Sequence, residues 1–482
     1  MPAYWIETFL VLAGLVLLML EAFVPKENKT SIILGAMAAV AIAFLMLFFA
    51  EPPAIDNLEM VRFYSFDPVA RFFKGLTLIA AFLTLLLGVN YRSTLAKFTV
   101  NPGSEDGTGE FYCLLLFATA GMMWMASARD LVSLFVSLEL TTISSYIMVG
   151  YMRRNVGSLE AGVKFLILGA LSTGFLVYGI AWIYGATGTT DLGLIGLAID
   201  GGNRSYLLFG LALMLIALAF KVGAFPMHVW IPDVYQGAPT PTTAFLSVAS
   251  KAAGFAVTLR VLAPFLDSES LAEQTIFILA ILAAATVLFG NLAALGQKNF
   301  KRLLAYSSIA NAGFILMAVA GWNSDKSFNA TSSEAVAFYL AIYLIMTFAA
   351  FFAMSAVQKA EGSDDIAAFE GLGDRHPTLA LMLTIVMGAL AGIPLTAGFW
   401  GKFLAFQAAV NGGLWLPVVL GFVGVAAGFY YYFQIIRAMY WRKSEKETPF
   451  KISGLSYAVI GVLTLLIVVL GFFPAPLFWL IQ

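Results

Sequence analysis

Apolar runs of about 20 residues follow one another along the whole chain, separated by short polar stretches. A run of about this length crosses the hydrocarbon core of a membrane as an α-helix. We count fourteen such segments, which predict an all-α polytopic membrane protein with about fourteen transmembrane helices. The predicted limits are 4–24, 31–49, 68–89, 111–128, 130–151, 159–186, 206–235, 241–263, 271–294, 302–321, 334–357, 378–411, 416–440 and 453–478.

Two of these segments, the seventh and the twelfth, are too long for one straight span of about 20 residues. Both contain helix-breaking residues in their interiors: Gly223 and Pro226 in the seventh, and Gly392, Pro394 and Gly398 in the twelfth. Breaks inside a membrane helix survive where protein or water satisfies the freed backbone groups. Because the two breaks lie five spans apart, they predict an inverted repeat with a transport site near the breaks.

The inverted repeat predicts that the chain divides into four parts. Residues 1–110 form an N-terminal segment of three helices. Residues 111–264 form the first repeat, helices 4 to 8, and residues 265–442 form the second, inverted repeat, helices 9 to 13. Residues 443–482 carry helix 14.

Composition narrows the possible functions. Hydrophobic residues make up 61% of the chain and charged residues 11%, against about 25% charged residues in soluble domains. This balance excludes a soluble enzyme and a disordered scaffold, and the net charge of −1 excludes a nucleic-acid-binding protein. With one cysteine and two distant histidines, His228 and His376, we expect no metal or cofactor in this chain. Any linked redox chemistry is then carried out by another polypeptide.

Lysine and arginine predict the orientation of the spans. With the N-terminus outside, the inside loops hold sixteen basic residues and the outside regions six. The positive-inside rule therefore places both termini outside, in agreement with an even number of spans. The remaining five basic residues lie within the apolar segments: Lys74, Lys164, Lys221, Lys251 and Lys402.

A carboxylate and three lysines lie deep in the predicted spans. They are Glu139 in the fifth segment, Lys221 in the seventh, Lys251 in the eighth and Lys402 in the twelfth. A charge at the bilayer centre costs at least about 2.5–3.5 kcal/mol, so such residues are functional by default. Because burial favours a neutral amine and a nearby carboxylate favours a charged one, these groups predict a proton relay. The alternatives are a structural, hydrogen-bonding glutamic acid at Glu139, a fixed ion pair between Glu139 and Lys221, and a Lys402 side chain that extends to the membrane surface.

Three other ionisable side chains leave alternatives open. Lys164 follows Glu160 by four residues, which fits either a local helix ion pair or a group in the proton relay. His228, two residues after Pro226, either relays protons or bonds carbonyls freed by the break. Lys74, near the outer end of the third segment, is expected to extend to the membrane surface.

Three motifs resemble a known family. They are FKVGAFPMHVWIPDVYQGAPTPTTAFLSVASKAAGF (Phe220–Phe255), NFKRLLAYSSIANAGFILM (Asn299–Met317) and GIPLTAGFWGKF (Gly392–Phe403). They are similar to the antiporter-like membrane subunits of respiratory complex I, the NADH–quinone oxidoreductase. The stretch PDVYQGAPTPTTAFLS and Lys251 resemble the subunit N group in particular, rather than its sister subunits M and L. The resemblance covers essentially the whole chain.

The resemblance implies a proton-translocating subunit of this H⁺-translocating enzyme, driven by electron transfer from NADH to quinone in other subunits. The family's relay residues fall on Glu139, Lys221, Lys251 and Lys402. Subunits M, K and J and the lateral helix of subunit L are the implied partners, besides membrane lipids. The flavin FMN, iron–sulfur clusters and quinone are implied in other subunits, and the implied location is the bacterial cytoplasmic membrane.

The resemblance leaves two alternative functions. One is a subunit of a multi-subunit cation/proton antiporter, which shares the fold and the lysines, and the other is a membrane subunit of a hydrogenase or of a ferredoxin-linked relative. The sequence after Pro232 favours the complex I subunit, as does the lack of an extra acidic pair in the spans. Co-purified partners discriminate among the three. A flavin and iron–sulfur arm supports complex I, nickel–iron subunits support the hydrogenase, and the antiporter has neither. A purely structural role would leave four buried charges without a purpose.

Overall fold

The computed structural model describes residues 1–25, 29–54, 58–99, 102, 104–105, 107–322, 332–443 and 449–481. Lys26, Lys326 and Lys446, which contribute to the predicted orientation, lie outside these described residues. The helices are α1 (Trp5–Glu21), α2 (Thr30–Phe48), α3 (Leu58–Phe63), α4 (Pro68–Ala96), α5 (Gly109–Ser127), α6 (Leu131–Val149), α7 (Val156–Thr187), α8 (Leu192–Ala198), α9 (Arg204–Val222), α10 (Ile231–Gly237), α11 (Thr240–Phe245), α12 (Lys251–Leu266), α13 (Ala272–Ala294), α14 (Phe300–Ala320), α15 (Ser332–Glu361), α16 (Leu372–Arg375), α17 (Pro377–Ala391), α18 (Ala397–Asn411), α19 (Trp415–Trp441), α20 (Gly454–Phe472) and α21 (Ala475–Ile481).

The all-helical fold class is confirmed. Among the described residues, twelve helical spans are long and apolar enough to cross a membrane. Two further predicted spans coincide with shorter helices: α1 has 17 residues, and α17 and α18 have 15 residues each on either side of a break. The total of fourteen crossings stays a prediction.

The chain divides into two compact units. The first comprises Met1–Gly223 and Gly237–Ile278, and the second comprises Ala224–Gln236 and Leu279–Gln482. The first unit thus holds α1 to α9, α11 and α12, and the second holds α10, most of α13 and α14 to α21. The predicted division into an N-terminal segment, two repeats and a last helix stays a prediction.

Burial separates inner helices from outer ones in each unit. In the first unit α11 and α12, joined by a π-helical turn at Leu246–Ser250, are almost entirely buried, whereas α7 is mostly exposed. In the second unit α14 and α15 are almost entirely buried, whereas α19 and α20 keep much of their surface exposed. The exposed surface of these outer helices is apolar, as expected of helices that face lipid.

Lys74 lies in the interior of the first unit and not at the membrane surface. Its side chain is fully buried in α4, and its ammonium contacts the Glu7 carboxylate at 2.5 Å and the Tyr64 hydroxyl. The prediction that Lys74 extends to the surface is therefore wrong. Glu7, which is 67 residues away in sequence, supplies the opposite charge that makes burial of the ammonium tolerable.

Candidate functional site

Both predicted helix breaks are present. The helix α9 ends at Val222, and Gly223 follows in the left-handed conformation with φ of 79°. The helix α17 ends at Ala391, and Gly392 follows with φ of 91° before the chain resumes as α18. Each break exposes the last carbonyl groups of a helix inside an apolar region, where they need a donor.

Lys221 lies in the last turn of α9, immediately before the first break. Its side chain is buried and makes no hydrogen bond or ion pair with any residue that the structure describes. The carboxylate of Glu139 interacts electrostatically with its ammonium. A fixed ion pair between the two side chains is therefore not the arrangement found. The carbonyl end of α9 offers the ammonium a favourable partial negative charge.

Glu139 projects from α6 toward α7. Its Oε1 atom accepts a hydrogen bond from the Thr173 hydroxyl at 2.7 Å, and its side chain is half-buried. This single hydrogen bond to a described residue leaves the second carboxylate oxygen available for a water or a proton. Glu139 is thus held in place without being locked to a cation.

Lys251 begins α12 directly after the π-helical turn Leu246–Ser250. Single π-turns inside helices often occur at functional sites, because they rotate the residues that follow. Gly254, one turn further on, lies so close to α9 that a Cβ atom there would be 3.2 Å from Cγ of Lys221. The absence of a side chain at Gly254 therefore lets α12, which begins at Lys251, pack closely against the end of α9 that carries Lys221.

Lys402 supplies hydrogen bonds to the carbonyl groups at the second break. Its ammonium donates to the carbonyl oxygens of Leu390 at 2.9 Å and Ala391 at 2.7 Å, and it lies 5.4 Å from the centre of the Phe314 ring. The side chain is buried, so the alternative in which it extends to the surface is not the arrangement found. Like Lys221 in the first unit, Lys402 places an ammonium at the carbonyl end of an interrupted helix.

His228 and Lys164 occupy contrasting environments. His228 lies in the segment between α9 and α10 and is buried, and its ring packs on Phe225 and Phe289. Its Nδ1 atom has no hydrogen-bond partner among the described residues, so that nitrogen does not bond a carbonyl of the break. Lys164 is partly exposed on α7 and pairs with Glu160 at 2.6 Å, which is the predicted helix ion pair.

A polar network in the second unit escaped sequence reasoning. The Asn311 amide donates to the Ser307 carbonyl at 2.8 Å and accepts from the Tyr339 hydroxyl at 2.8 Å, and Ser307 also bonds Tyr432. Asn311 lies one turn before Phe314, the residue under the Lys402 ammonium. The spacing of Ser307 and Asn311, four residues apart on α14, is the only local signal of this network.

Among the described residues, no group of three or more histidine, cysteine, aspartate or glutamate side chains could hold a metal ion. The groups that the site provides are a carboxylate, amines, an imidazole and hydroxyl groups. These groups bind and release protons. They lie in membrane spans, where burying a charged side chain has a high free-energy cost.

Comparisons with known proteins agree with this arrangement. The sequence profile described as NADH:quinone oxidoreductase/Mrp antiporter, TM, matches residues 128–428. A protein of Trichlorobacter lovleyi named NADH-quinone oxidoreductase subunit N is 40% identical over 92% of this chain and 88% of its own length. The chain belongs to this family of membrane subunits, and its curated relatives include many that carry the subunit N name.

Solved structures share the fold. A chain of respiratory complex I from Thermus thermophilus with bound aureothin superimposes with a TM-score of 0.78 at 33% identity, covering 98% of both chains. A chain of the Mrp complex from a Dietzia species gives a TM-score of 0.82 at 20% identity, covering 99% of this chain and 96% of its own. The second likeness, at this low identity, concerns the fold alone. The protein is therefore a membrane protein of a kind that works within multi-subunit membrane complexes.

Proposed function

We propose that this chain is the subunit N of an NADH–quinone oxidoreductase and translocates protons when electrons pass from NADH to quinone in other subunits. The observation that carries the proposal is the burial of ammonium groups at the carbonyl ends of both interrupted helices, Lys221 in one unit and Lys402 in the other. Intramembrane charges at helix breaks are typical of ion and proton pathways.

In the first unit the proposed proton carriers are Glu139, Lys221 and Lys251. The Glu139 charge compensates part of the hydration that the Lys221 ammonium loses on burial. No described residue accepts a hydrogen bond from that ammonium, so the group can release its proton and, as a neutral amine, accept another. Neutralising Glu139 then favours proton release from Lys221, and Lys251, on the helix α12 that packs against Lys221, is the next acceptor.

In the second unit Lys402 is the proposed carrier. His228 and Lys164 are proposed as further relay groups. The Nδ1 atom of His228, which has no partner among the described residues, supports its role. Lys164 is accessible at the surface of α7, which suits a group that takes up protons, although its pairing with Glu160 fits a structural role equally well.

The setting of this function follows from the resemblance and from the distribution of basic residues. We propose a bacterial cytoplasmic membrane location with both termini on the outer side. The proposed partners are subunits M, K and J and the lateral helix of subunit L. The proposed cofactors of the complex, FMN, iron–sulfur clusters and quinone, belong to other subunits.

The alternative functions are those of a cation/proton antiporter subunit and of a membrane-bound hydrogenase subunit. The Mrp likeness at 20% identity extends to the fold alone, whereas curated relatives of 35–40% identity carry the name of the complex I subunit. Co-purification with an NADH-oxidising flavin and iron–sulfur arm supports our proposal. Co-purification with nickel–iron subunits, or with neither, contradicts it.

The proposed relay is tested by Lys221→Ala and Glu139→Gln in native membranes, with Lys451→Ala as the control at an exposed basic position outside the helices. NADH–quinone activity and proton movement are measured together, and a native gel checks assembly. We expect both rates to fall strongly in the two relay variants while the complex stays assembled. Normal rates in an assembled complex would mean that these charges are structural.

A further inference from the structure

A cavity of about 810 Å³ lies in the second unit, where the ends of α13 and α19 meet the 3₁₀ turn Ile366–Phe369. Its lining includes the side chains of Lys298, Arg437 and Arg442, and one carboxylate, Asp365. None of these groups takes part in the proposed proton relay. The cavity lies at the membrane end that the distribution of basic residues assigns to the inside.

The walls of this cavity are fixed by backbone and side-chain bonds. The amide of Ile366 donates to the Lys298 carbonyl at 2.8 Å, and the amide of Phe300 donates to the Asp364 carbonyl at 2.8 Å. The Gln434 amide group donates to the Leu295 carbonyl at 3.3 Å and so ties α19 to the end of α13. The cavity is thus part of the folded unit and does not depend on a loose loop.

Positive charge predominates in the cavity. Arg442 pairs with Glu370 at 2.9 Å, and Asp365 accepts a hydrogen bond from the Asn299 amide at 3.2 Å. Lys298 and Arg437 are exposed and make no side-chain hydrogen bond or ion pair with any residue that the structure describes. Two cations without a counter-ion among the described residues therefore point to an anionic ligand.

An apolar surface continues from the cavity along α19. Phe422, Tyr430 and Phe433 are between half and two-thirds exposed, and with Arg437 they occupy one face of the helix at spacings of eight, three and four residues. Phe422 and Arg437 are about 22 Å apart along the helix axis. The surface therefore has a cationic end and a long apolar continuation, which matches an amphipathic anion.

We propose that this cavity binds the phosphate group of an anionic phospholipid, whose acyl chains lie along the exposed face of α19. Basic pockets between transmembrane helices on the inner side of a membrane are suited to such headgroups. Lys298 and Arg437 supply the charge, and Tyr430 and Phe433 contact the first part of the acyl chains. This inference rests on the assignment of the cavity to the inner side of the membrane. It does not depend on the proton relay.

The experiment uses the assembled complex and a photoactivatable phosphatidylglycerol that carries the reactive group on an acyl chain, followed by mapping of labelled peptides. We expect labelling of α19 by this lipid and little labelling by the matching phosphatidylcholine. Each basic residue near an anionic headgroup contributes about fivefold in binding, so Lys298→Gln with Arg437→Gln should lower labelling about 25-fold. Native gels check assembly of every variant.

Lys359→Gln is the matched control, because Lys359 is an exposed lysine at the inner end of α15 outside the cavity. It should label as wild type, and Arg437→Lys should retain most of the labelling. Equal labelling of α19 in wild type and the double variant, or by both lipids, would overturn the proposal. Displacement of the label by inorganic phosphate alone would also overturn it, in favour of a free phosphate ligand.

Discussion

The ammonium of Lys402 donates a hydrogen bond of 2.7 Å to the carbonyl of Ala391, on the opposite side of the break in the same membrane segment. The lysine thus satisfies backbone groups that the break frees, in a region where water is scarce. The same ammonium is a proposed proton carrier. Its protonation and the conformation of the break are therefore coupled, because a neutral amine donates more weakly to these carbonyls.

Gly392 makes this arrangement possible, and its replacement should disrupt it. At φ of 91°, a Cβ atom would lie 2.9 Å from Cδ of Lys402. We expect Gly392→Ala to destabilise the complex by about 1–2 kcal/mol from the backbone alone and to reduce proton movement by displacing the lysine. Thermal unfolding and pumping of the purified complex measure the two effects.

Gly174→Ala is the control for that substitution, since a Cβ atom at Gly174 in α7 would meet nothing within 4 Å. It should leave both thermal stability and proton movement as in the wild type. If Gly392→Ala behaved like Gly174→Ala, the break would not require a glycine and Lys402 would tolerate displacement.

The buried pair of Lys74 and Glu7 should be structural. Removing one partner leaves an uncompensated buried charge, so Lys74→Met should cost about 3–5 kcal/mol and reduce the amount of assembled complex. Replacing both residues, with Glu7→Leu added, should restore most of the assembly. A double-mutant cycle on native-gel yield and thermal unfolding checks this, and additive effects of the two substitutions would contradict the pairing.

His376, in the loop before α17, should make the segment just before α20 sensitive to pH. Burial and the neighbouring Arg375 lower the pKa of His376 below its usual 6.5, and its Nε2 atom accepts a hydrogen bond from the Phe450 amide at 2.9 Å. The neutral imidazole is thus favoured in the folded protein. Its contribution to stability is present above about pH 6.5 and is lost as the pH falls through the lowered pKa.

Hydrogen exchange at the Phe450 amide measures this effect. After correction for intrinsic exchange, protection should decrease as the pH falls from 7.5 to 5. His376→Gln, which keeps an acceptor but does not titrate, should show protection that does not change with pH. The same pH dependence in wild type and His376→Gln would rule out the histidine as its source.

Local features of the sequence were sufficient to predict the helical class, the two breaks and the burial of Lys221, Lys251 and Lys402. Each depends on hydropathy and on glycine and proline within a short window. Features that join distant parts of the chain were not predictable in this way. The pairing of Lys74 with Glu7 is one example, because one sequence does not reveal which buried charges meet in space.

The polar network of the second unit is another example. Ser307 and Asn311 lie on one face of α14, but their partners Tyr339 and Tyr432 come from other helices. A lone asparagine in an apolar helix predicts a hydrogen bond without naming its partner. The same holds for the relay residues. The sequence indicates that they are buried within membrane spans, but it does not indicate which residues they contact.

The most direct test of the relay is Lys251→Arg in purified complex reconstituted into liposomes, with Lys451→Arg as the control. Arginine keeps the positive charge but does not release its proton at any working pH. We predict an assembled complex in which NADH oxidation by quinone and the coupled proton movement fall together by at least about tenfold, with the control unaffected. Wild-type rates and an unchanged ratio of protons to electrons in Lys251→Arg would contradict the proposal that this lysine carries protons.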